Sequence, residues 1–247
     1  MKILHIIGTL NTGGVQKYIL ELCQTQSLRK YNHQILCTML SDDNFKYKFQ
    51  NIKTPVFYLP FKYLPKNNIS FRIDKLFRFI YSLTFGIRLW IFLVKYNQKI
   101  IHSHIYTQLI SQVLASLLSN KYIIWTIHGE YSLKNRTILF IRVIKYFISD
   151  NKFQIIADSI PALHSTLPFT GNNFNPENVI PTGINLKPYL QEYDQSFIRK
   201  KYNIEDGTIL IGSSGRIVWQ KGYDQLLSLL ENYDFNNKKL HFLIAGE

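Results

Sequence analysis

The chain has 247 residues, of which 46% are hydrophobic and 15% aromatic, and its formal net charge is +13 at pH 7. This composition excludes a disordered chain and suits one large domain or two modest ones. The two cysteines, Cys23 and Cys37, have no metal-ligand spacing and are too few for a disulfide framework. We expect both cysteines to be core residues of a protein in a reducing compartment. Because the first apolar run ends at Gly8, unlike that of a secretory signal, we expect a cytoplasmic protein.

Short apolar strands alternate with helical patterns along the first 185 residues. ILHII at residues 3–7 predicts a strand, VQKYILELC from Val15 a helix, and HQILCTML and TPVFYLP two more strands. A long helix is predicted from about Ser70 to Tyr96. The later elements are predicted as strand KIIHSH, helix TQLISQVLASLLS, strand YIIWTIHG, helix TILFIRVIKYFIS, strand FQIIADS, helix SIPALHSTL and strand NVIPTG. This alternation predicts an α/β fold with a mostly parallel sheet covered on both faces.

A polar segment with nearly balanced charge, residues 186–207, separates two α/β stretches. We therefore predict one domain over residues 1–185, an inter-domain connection over 186–207, and a second domain over 208–247. In the second domain TILIGSSG predicts a strand, GYDQLLSLLENY a helix and LHFLIAGE another strand. About forty residues cannot cover both faces of a parallel sheet, so the second domain is predicted to be incomplete.

Much of the positive charge lies between residues 45 and 100. Eleven Lys and Arg residues accompany a single acid, Asp74, so this stretch contributes +10 of the net +13, and it holds 15 of the 36 aromatic residues. Basic side chains mixed with aromatic rings favour a membrane headgroup interface. A spanning helix over residues 76–94 is the alternative, but Arg78 and Arg88 would each cost about 2.5–3.5 kcal/mol near its centre. We favour a buried or interface-lying helix.

A glycine-rich loop, Gly8–Gly14, follows the first predicted strand and leads directly into a helix. Gly14 stands where a P-loop requires lysine, and the loop does not match GxGxxG. Backbone N–H groups of the pair Gly13 and Gly14 can still approach an anion, and the helix dipole favours negative charge there. The alternatives are an anion-binding loop and a tight turn without a ligand.

Three histidines lie at or beyond the carboxyl ends of predicted strands, the edge where open α/β sheets bind ligands: His102, His104 and His128. His128 is the strongest functional candidate, and a structural role is the alternative for the other two. They lack the spacing and the fourth ligand of a zinc site, so the sequence predicts no metal centre.

The segment Gly215–Gly222, with the sequence GRIVWQKG, carries the most specific signal. It joins a predicted strand to a helix and so places Arg216 and Lys221 beside a helix amino terminus, where cations and backbone N–H groups bind anions. Fixed cations suit a diphosphate leaving group, because they neutralise the charge that grows as its bond breaks. Two solvated surface cations are the alternative.

Together these motifs resemble the retaining glycosyltransferases of family 4. GTLNTGGVQKY, IHSH, TIHGE, IIADS, NVIPTGIN, SGRIVWQKG and LHFLIAGE occur in that family's order and approximate spacing across essentially the whole chain. The resemblance implies a GT-B fold, with a complete Rossmann-like amino-terminal domain for the acceptor and an incomplete Rossmann-like domain for a nucleotide sugar. Asn185 departs from the family's usual Asp. The family's later pair of glutamates lies beyond Glu247, so we expect a C-terminally truncated chain.

The resemblance also implies roles for individual residues. The donor diphosphate would be bound by Gly13, Gly14, Arg216 and Lys221. His128 would lie near the transferred sugar as the catalytic residue, and His104 and Gly183 are possible residues of the same cleft. Family members use a nucleotide sugar as substrate and need no cofactor or essential metal.

The implied function is transfer of a hexose-type sugar, with configuration retained, to a lipid-linked or polysaccharide acceptor in envelope polysaccharide synthesis. We expect the protein at the inner face of the cell membrane, bound peripherally to anionic lipid. The alternative is a non-catalytic remnant that binds acceptor or membrane, or a subunit that a partner completes. A nucleic-acid binder would rest on charge alone, and no such partner is predicted.

Overall fold

The computed structural model describes residues 1–25, 30–40, 44–61, 71–105, 108–129, 142, 152–170, 175–192, 194, 196–232 and 239–246. These residues divide into two compact units, residues 1–185 and 186–247. The helix predicted for residues 137–149 lies outside the described residues apart from Arg142.

The first unit contains a six-stranded parallel sheet. Its strands are β1 (Lys2–Ile7), β2 (Asn32–Cys37), β3 (Val56–Tyr58), β4 (Ile100–Ser103), β5 (Tyr122–Ile127) and β6 (Phe153–Ala157). Their order is β3-β2-β1-β4-β5-β6, and every neighbouring pair is parallel. The order reverses between β1 and β4, and doubly wound sheets bind ligands beyond the carboxyl ends of the strands at such a point.

The strand predicted at NVIPTG is wrong. Val179 makes only an isolated bridge to Ala157 and follows a 3-10 helix at Pro176–Asn178. Pro181 has no backbone N–H to donate, so a strand ladder cannot continue through it.

Helices cover both faces of the sheet, as the sequence predicts. They are α1 (Gly14–Gln24), α2 (Lys46–Asn51), α3 (Phe71–Lys95), α4 (Leu109–Leu118), α5 (Ile160–His164) and α6 (Leu167–Thr170). Alternation along β1 places Ile6 and Ile7 on opposite faces. Ile7 packs in a cluster with side chains of α1 and α2, and Ile6 packs in a second cluster with side chains of α3 and α4. Cys23 and Cys37 are buried in the first of these clusters, as expected.

Helix α3 carries apolar side chains on two sides. Phe85, Leu89 and Leu93, four residues apart, are buried in the core. Gly86 lets α3 approach α4 closely, because a Cβ atom at this position would lie 3.4 Å from Cβ of Ser111. Among the described helices, α3 included, none combines the length and hydropathy that a membrane span requires.

The second unit contains two parallel strands, β7 (Ile209–Ser214) and β8 (Leu240–Ala245), in its described part. Its helices are α7 (Ser196–Lys201) and α8 (Tyr223–Asn232), with 3-10 helices at Lys187–Leu190 and Trp219–Lys221. Residues 186–207, predicted as a connection, carry α7 and group with this unit.

Candidate functional site

One face of the first sheet carries polar side chains on neighbouring strands. His5 lies opposite His102 in the β1–β4 pair and opposite Ile35 in the β1–β2 pair. Side chains alternate between the two faces of a strand, so residues two positions apart share a face. His33, two residues before Ile35, and His104, two residues after His102, therefore lie on the same face as His5.

The polar face continues onto β5 and β6. The β5–β6 register ends at the pair Ile127 and Ala157, so the next residues, His128 and Asp158, lie side by side. Thr126 lies two residues before His128 and shares its face. The sequence predicts His128 at this edge, whereas Asp158 lies beside it because of the register of the two parallel strands.

Four imidazole rings form a continuous line across this face, which we call the histidine chain: His33, His5, His104 and His128. His33 Nδ1 lies 3.0 Å from His5 Nε2, and His5 Nδ1 lies 3.2 Å from His104 Nε2. His104 Nδ1 lies 3.1 Å from His128 Nε2, and His128 Nδ1 lies 3.5 Å from Asp158 Oδ2. The chain thus ends at a carboxylate.

The three contacts between rings are linear hydrogen bonds. The interplanar angles are 18°, 27° and 21°, so consecutive ring planes are close to parallel. The ring centroids are 5.3, 5.5 and 5.4 Å apart, in each case about 2.3 Å more than the corresponding N···N distance. That difference is close to twice the distance from the centre of an imidazole ring to one of its nitrogens. Each bonded nitrogen therefore lies on the line that joins the two ring centres.

Other side chains pack against the sides of the histidine chain. His102 Nε2 lies 2.5 Å from Thr126 Oγ1, and the His102 ring centroid lies 4.1 Å from that of His104. Tyr18, from α1, presents its ring edge-on to His104 and His128, with centroids 5.9 and 5.3 Å away. Burial and the nearby Asp158 raise the pKa of the Tyr18 hydroxyl.

The buried histidines His5, His102 and His104 are neutral at physiological pH. Burial, followed by the charges of neighbouring histidines, holds the pKa of His5 and of His104 well below the usual 6.5 and lowers the pKa of His102 to about 3. Burial also lowers the pKa of His128, although Asp158 opposes this shift. A neutral imidazole has one donor and one acceptor nitrogen, which is what a ring inside such a chain requires.

Within the part of the chain that the structure describes, two groups of three side chains come within metal-binding distance. The ligand atoms of His5, His102 and His104 lie within 4.8 Å of one another, and so do those of His5, Cys23 and His33. Spacing along the chain could not reveal these groups, because their members come from different elements. The linear N···N bonds direct the nitrogens of His5 at those of His33 and His104 and away from a common centre. The prediction that the reaction needs no metal stays a prediction.

The predicted site residues of the first unit fall into two environments. His104 is buried, and both ring nitrogens of His128 are engaged inside the protein, with 11% of its side chain exposed. Gly13 precedes α1 with an extended backbone, and a Cβ atom there would lie 2.6 Å from Oε1 of Gln16. Gly183 is exposed and lines a cavity of about 360 Å³ with Tyr18 of α1.

The predicted cations of the second unit lie in the turn between β7 and α8. Arg216 and Lys221 are both exposed, and among the described residues neither forms an ion pair. Gly215 donates its N–H to Ala245 O, and a Cβ atom on Gly246 would lie only 1.9 Å from Gly215 O. The end of β8 therefore packs directly on the turn and holds its backbone in place.

Gly222→Ala is expected to loosen this turn, because Gly222 has φ +68, a left-handed conformation that costs an L-residue about 1–2 kcal/mol. Amide hydrogen exchange of α8 measures the effect, and protection there should fall roughly tenfold. Gly212→Ala in β7 is the matched control, since its Cβ atom would meet nothing within 4 Å. Equal protection in the two variants would contradict the expectation.

Five residues of the site were not predicted from the sequence: His5, His33, Thr126, Tyr18 and Asp158. Four of them lie on or directly after strands, at alternate positions whose side chains share one face of the sheet when the strands pair. Period-two alternation was visible in the sequence, but the alignment between strands was not. Tyr18 belongs to α1, and its place over the histidines depends on how that helix packs on the sheet.

Solved structures with the same fold are known. A glycosyltransferase from Rickettsia africae aligns with a TM-score of 0.70 at 16% identity, covering 100% of this chain and 60% of that one. Anabaena HepE in complex with UDP-glucose aligns with 0.69 at 15% identity, covering 99% and 60%. The lipopolysaccharide outer core galactosyltransferase WaaB, in its apo form, aligns with 0.60 at 15% identity, covering 99% and 60%.

The chain thus spans about three fifths of the length of these structures. At this level of identity the likeness shows the fold, which is the GT-B fold of glycosyltransferases. No curated protein matches the sequence. The family model described as Glycosyltransferase Family 4 matches residues 12–187, most of the chain. The protein belongs to glycosyltransferase family 4.

Proposed function

We propose that the protein takes part in transferring a sugar from a nucleotide-sugar donor to a lipid-linked or polysaccharide acceptor, with configuration retained, in envelope polysaccharide synthesis. The observation that carries the proposal is the turn at Gly215–Gly222, which presents two exposed cations at the start of a helix. HepE, which has the same fold, binds UDP-glucose. No cofactor or metal is proposed for the reaction.

In this proposal Arg216 and Lys221 bind the donor diphosphate. Arg216 supplies a planar fork of donors for phosphate oxygens, and Lys221 supplies a compact charge. The side chain of Lys221 lies over Gly215, 3.5 Å from where a Cβ atom would stand, so glycine leaves room for the lysine. Both cations would offset the charge that develops on the leaving diphosphate.

The first unit would provide the acceptor site and further donor contacts. Gly13 and Gly14 begin α1, whose amino-terminal N–H groups favour an anion. Gly13 allows Gln16 to fold back and donate from Nε2 to Thr9 O at 2.8 Å, which braces this loop. His128 would contribute as a neutral ring held between His104 and Asp158.

Arg216→Ala is expected to weaken UDP or GDP binding about 10- to 100-fold, because hydrogen bonds to a charged group contribute about 1.5–3 kcal/mol. Titration calorimetry with each nucleotide measures the change, and quenching of Trp219, which is 81% exposed in the same turn, gives a second readout. Lys200→Ala is the matched control, since it removes an exposed cation from α7 of the same unit.

Equal nucleotide affinity in the Arg216→Ala and Lys200→Ala variants would contradict the proposed diphosphate site. Nucleotide binding without sugar transfer would instead favour the alternative function, a binding remnant or a subunit that a partner completes. Transfer assays with UDP- and GDP-sugars separate this alternative from an active enzyme.

We also propose that the protein binds the inner face of the cell membrane through α3. Phe79, Leu83, Ile87, Ile91 and Val94 are spaced three or four residues apart, so they form one stripe along the helix. They are 48–67% exposed. Arg88 and Lys95 of the same helix are exposed as well, which suits anionic headgroups.

A further inference from the structure

We propose that the histidine chain is a proton relay between a cavity beside His33 and Asp158, and that Asp158 sets its direction by fixing the tautomer of every ring. The relay is a property of the first unit, so its test needs no transfer activity.

The direction follows from the one group in the line that cannot donate. An ionised carboxylate only accepts hydrogen bonds, so His128 must donate to Asp158 from Nδ1. Its Nε2 then accepts from Nδ1 of His104, whose own Nε2 accepts from Nδ1 of His5. In the same way His5 Nε2 accepts from Nδ1 of His33. All four rings therefore carry their proton on Nδ1.

The two ends of the relay are differently placed. His33 lines a cavity of about 590 Å³ that reaches the surface, since exposed Lys30 and Lys53 also line it. Asp158 stands at the carboxyl edge of the sheet with 25% of its side chain exposed. Between these ends His5 is completely buried and His104 nearly so, and consecutive rings contact one another directly through their nitrogens.

A proton taken from water by Nε2 of His33 can cross the chain by successive transfers. The Nδ1 proton of His33 passes to His5 Nε2, that of His5 passes to His104 Nε2, and that of His104 passes to His128 Nε2. The Nδ1 proton of His128 then passes to Asp158, which becomes a neutral acid. Each ring ends neutral with its proton on Nε2, and one proton has moved from the cavity to the edge of the sheet.

Burial favours passing a proton along the histidine chain over holding it on one ring. Because burial lowers the pKa of His5 and His104 well below the usual range, neither ring retains the extra charge. The linear bonds between nearly parallel rings reduce the movement required for each step. At the far end, protonated Asp158 can donate to a ligand oxygen bound at this edge.

Nitrogen NMR of the full chain labelled with ¹⁵N-histidine tests the proposal, because ring-nitrogen shifts distinguish protonated from unprotonated positions. We expect Nδ1–H tautomers in all four rings. In Asp158→Asn the amide can donate to His128, so Nε2–H tautomers should appear along the chain as far as His33. Glu177→Gln, which removes an exposed carboxylate elsewhere in the unit, should leave every ring unchanged.

A second variant keeps the test independent of Asp158. His5→Phe interrupts the line, so His104 and His128 should keep Nδ1–H tautomers while His33 loses this constraint. A His33→Phe variant should slow exchange of the His5 and His104 ring protons with solvent severalfold, because it closes the end at the cavity.

Three results would overturn the relay. The first is an Nε2–H tautomer at any ring of the unaltered chain, and the second is an unchanged His33 in Asp158→Asn. The third is stoichiometric zinc in the purified protein that is lost in Cys23→Ser but retained in Cys37→Ser. Zinc of that kind would show that His5, Cys23 and His33 bind a metal in place of the first hydrogen bond of the chain.

Discussion

Lowering the pH from about 7.5 to about 5 is expected to destabilise the first unit by several kcal/mol. Three buried histidines, His5, His102 and His104, have pKa values far below the usual 6.5. Below pH 6.5 the unfolded chain binds protons on these residues that the folded chain does not bind. Stability is therefore fully present above the unfolded pKa of 6.5 and is lost as the pH falls from there towards about 3, the pKa of His102.

The size of this effect follows from the number of protons. Each proton bound only by the unfolded chain changes the free energy of unfolding by about 1.4 kcal/mol per pH unit. Three such protons therefore change it by about 4 kcal/mol per pH unit. Between pH 6.5 and about pH 5, the loss in the free energy of unfolding is comparable with the whole stability of a typical domain, about 5–15 kcal/mol. The first unit should therefore unfold or become only marginally stable near pH 5.

Urea unfolding at the two pH values, followed by fluorescence of buried Trp125, measures the change. His102→Gln should reduce the pH dependence by about a third, because it removes one of three titrating groups. His164→Gln is the control, since His164 is exposed and lies outside the histidine chain. Equal unfolding midpoints at both pH values in the unaltered protein would show that the buried histidines do not control its acid stability.

Replacing two exposed apolar residues of α3 is expected to abolish most membrane binding. Phe79→Ser with Ile91→Ser removes two side chains of the exposed stripe, each contributing about 1.5–3 kcal/mol when it leaves water. A combined loss of about 3–6 kcal/mol corresponds to a decrease of roughly 100-fold or more in membrane affinity. Flotation with vesicles that contain phosphatidylglycerol measures the decrease.

A pair of equally exposed residues elsewhere in the first unit provides the control. Ile160→Ser with Ile180→Ser should float like the unaltered protein, because these residues lie outside α3. Rising salt should weaken binding, since it screens the attraction of Arg88 and Lys95 to anionic headgroups. An unaltered protein that stays unbound at low salt would contradict membrane association, and equal losses in both double variants would remove α3 as its cause.

The long helix illustrates what the pattern of residues predicts well. Its apolar content predicted a helix from about Ser70 to Tyr96, and α3 spans Phe71–Lys95. The strand predicted at NVIPTG does not form, because Pro181 follows the apolar pair Val179 and Ile180 and cannot donate to a ladder. Regular elements follow from local periodicity, whereas the ends of the sheet depend on single residues.

The alternation of strands and helices, the family motifs, and the positions of His128 and the Gly215–Gly222 turn after strands could all be predicted from the sequence. These features depend on residues close together in the chain. The line of His33, His5, His104 and His128 that ends at Asp158 could not be predicted in this way and is seen in the folded protein alone. That line depends on the register of the parallel strands. The register is set by packing between segments far apart in sequence, so it cannot be predicted from any one of them.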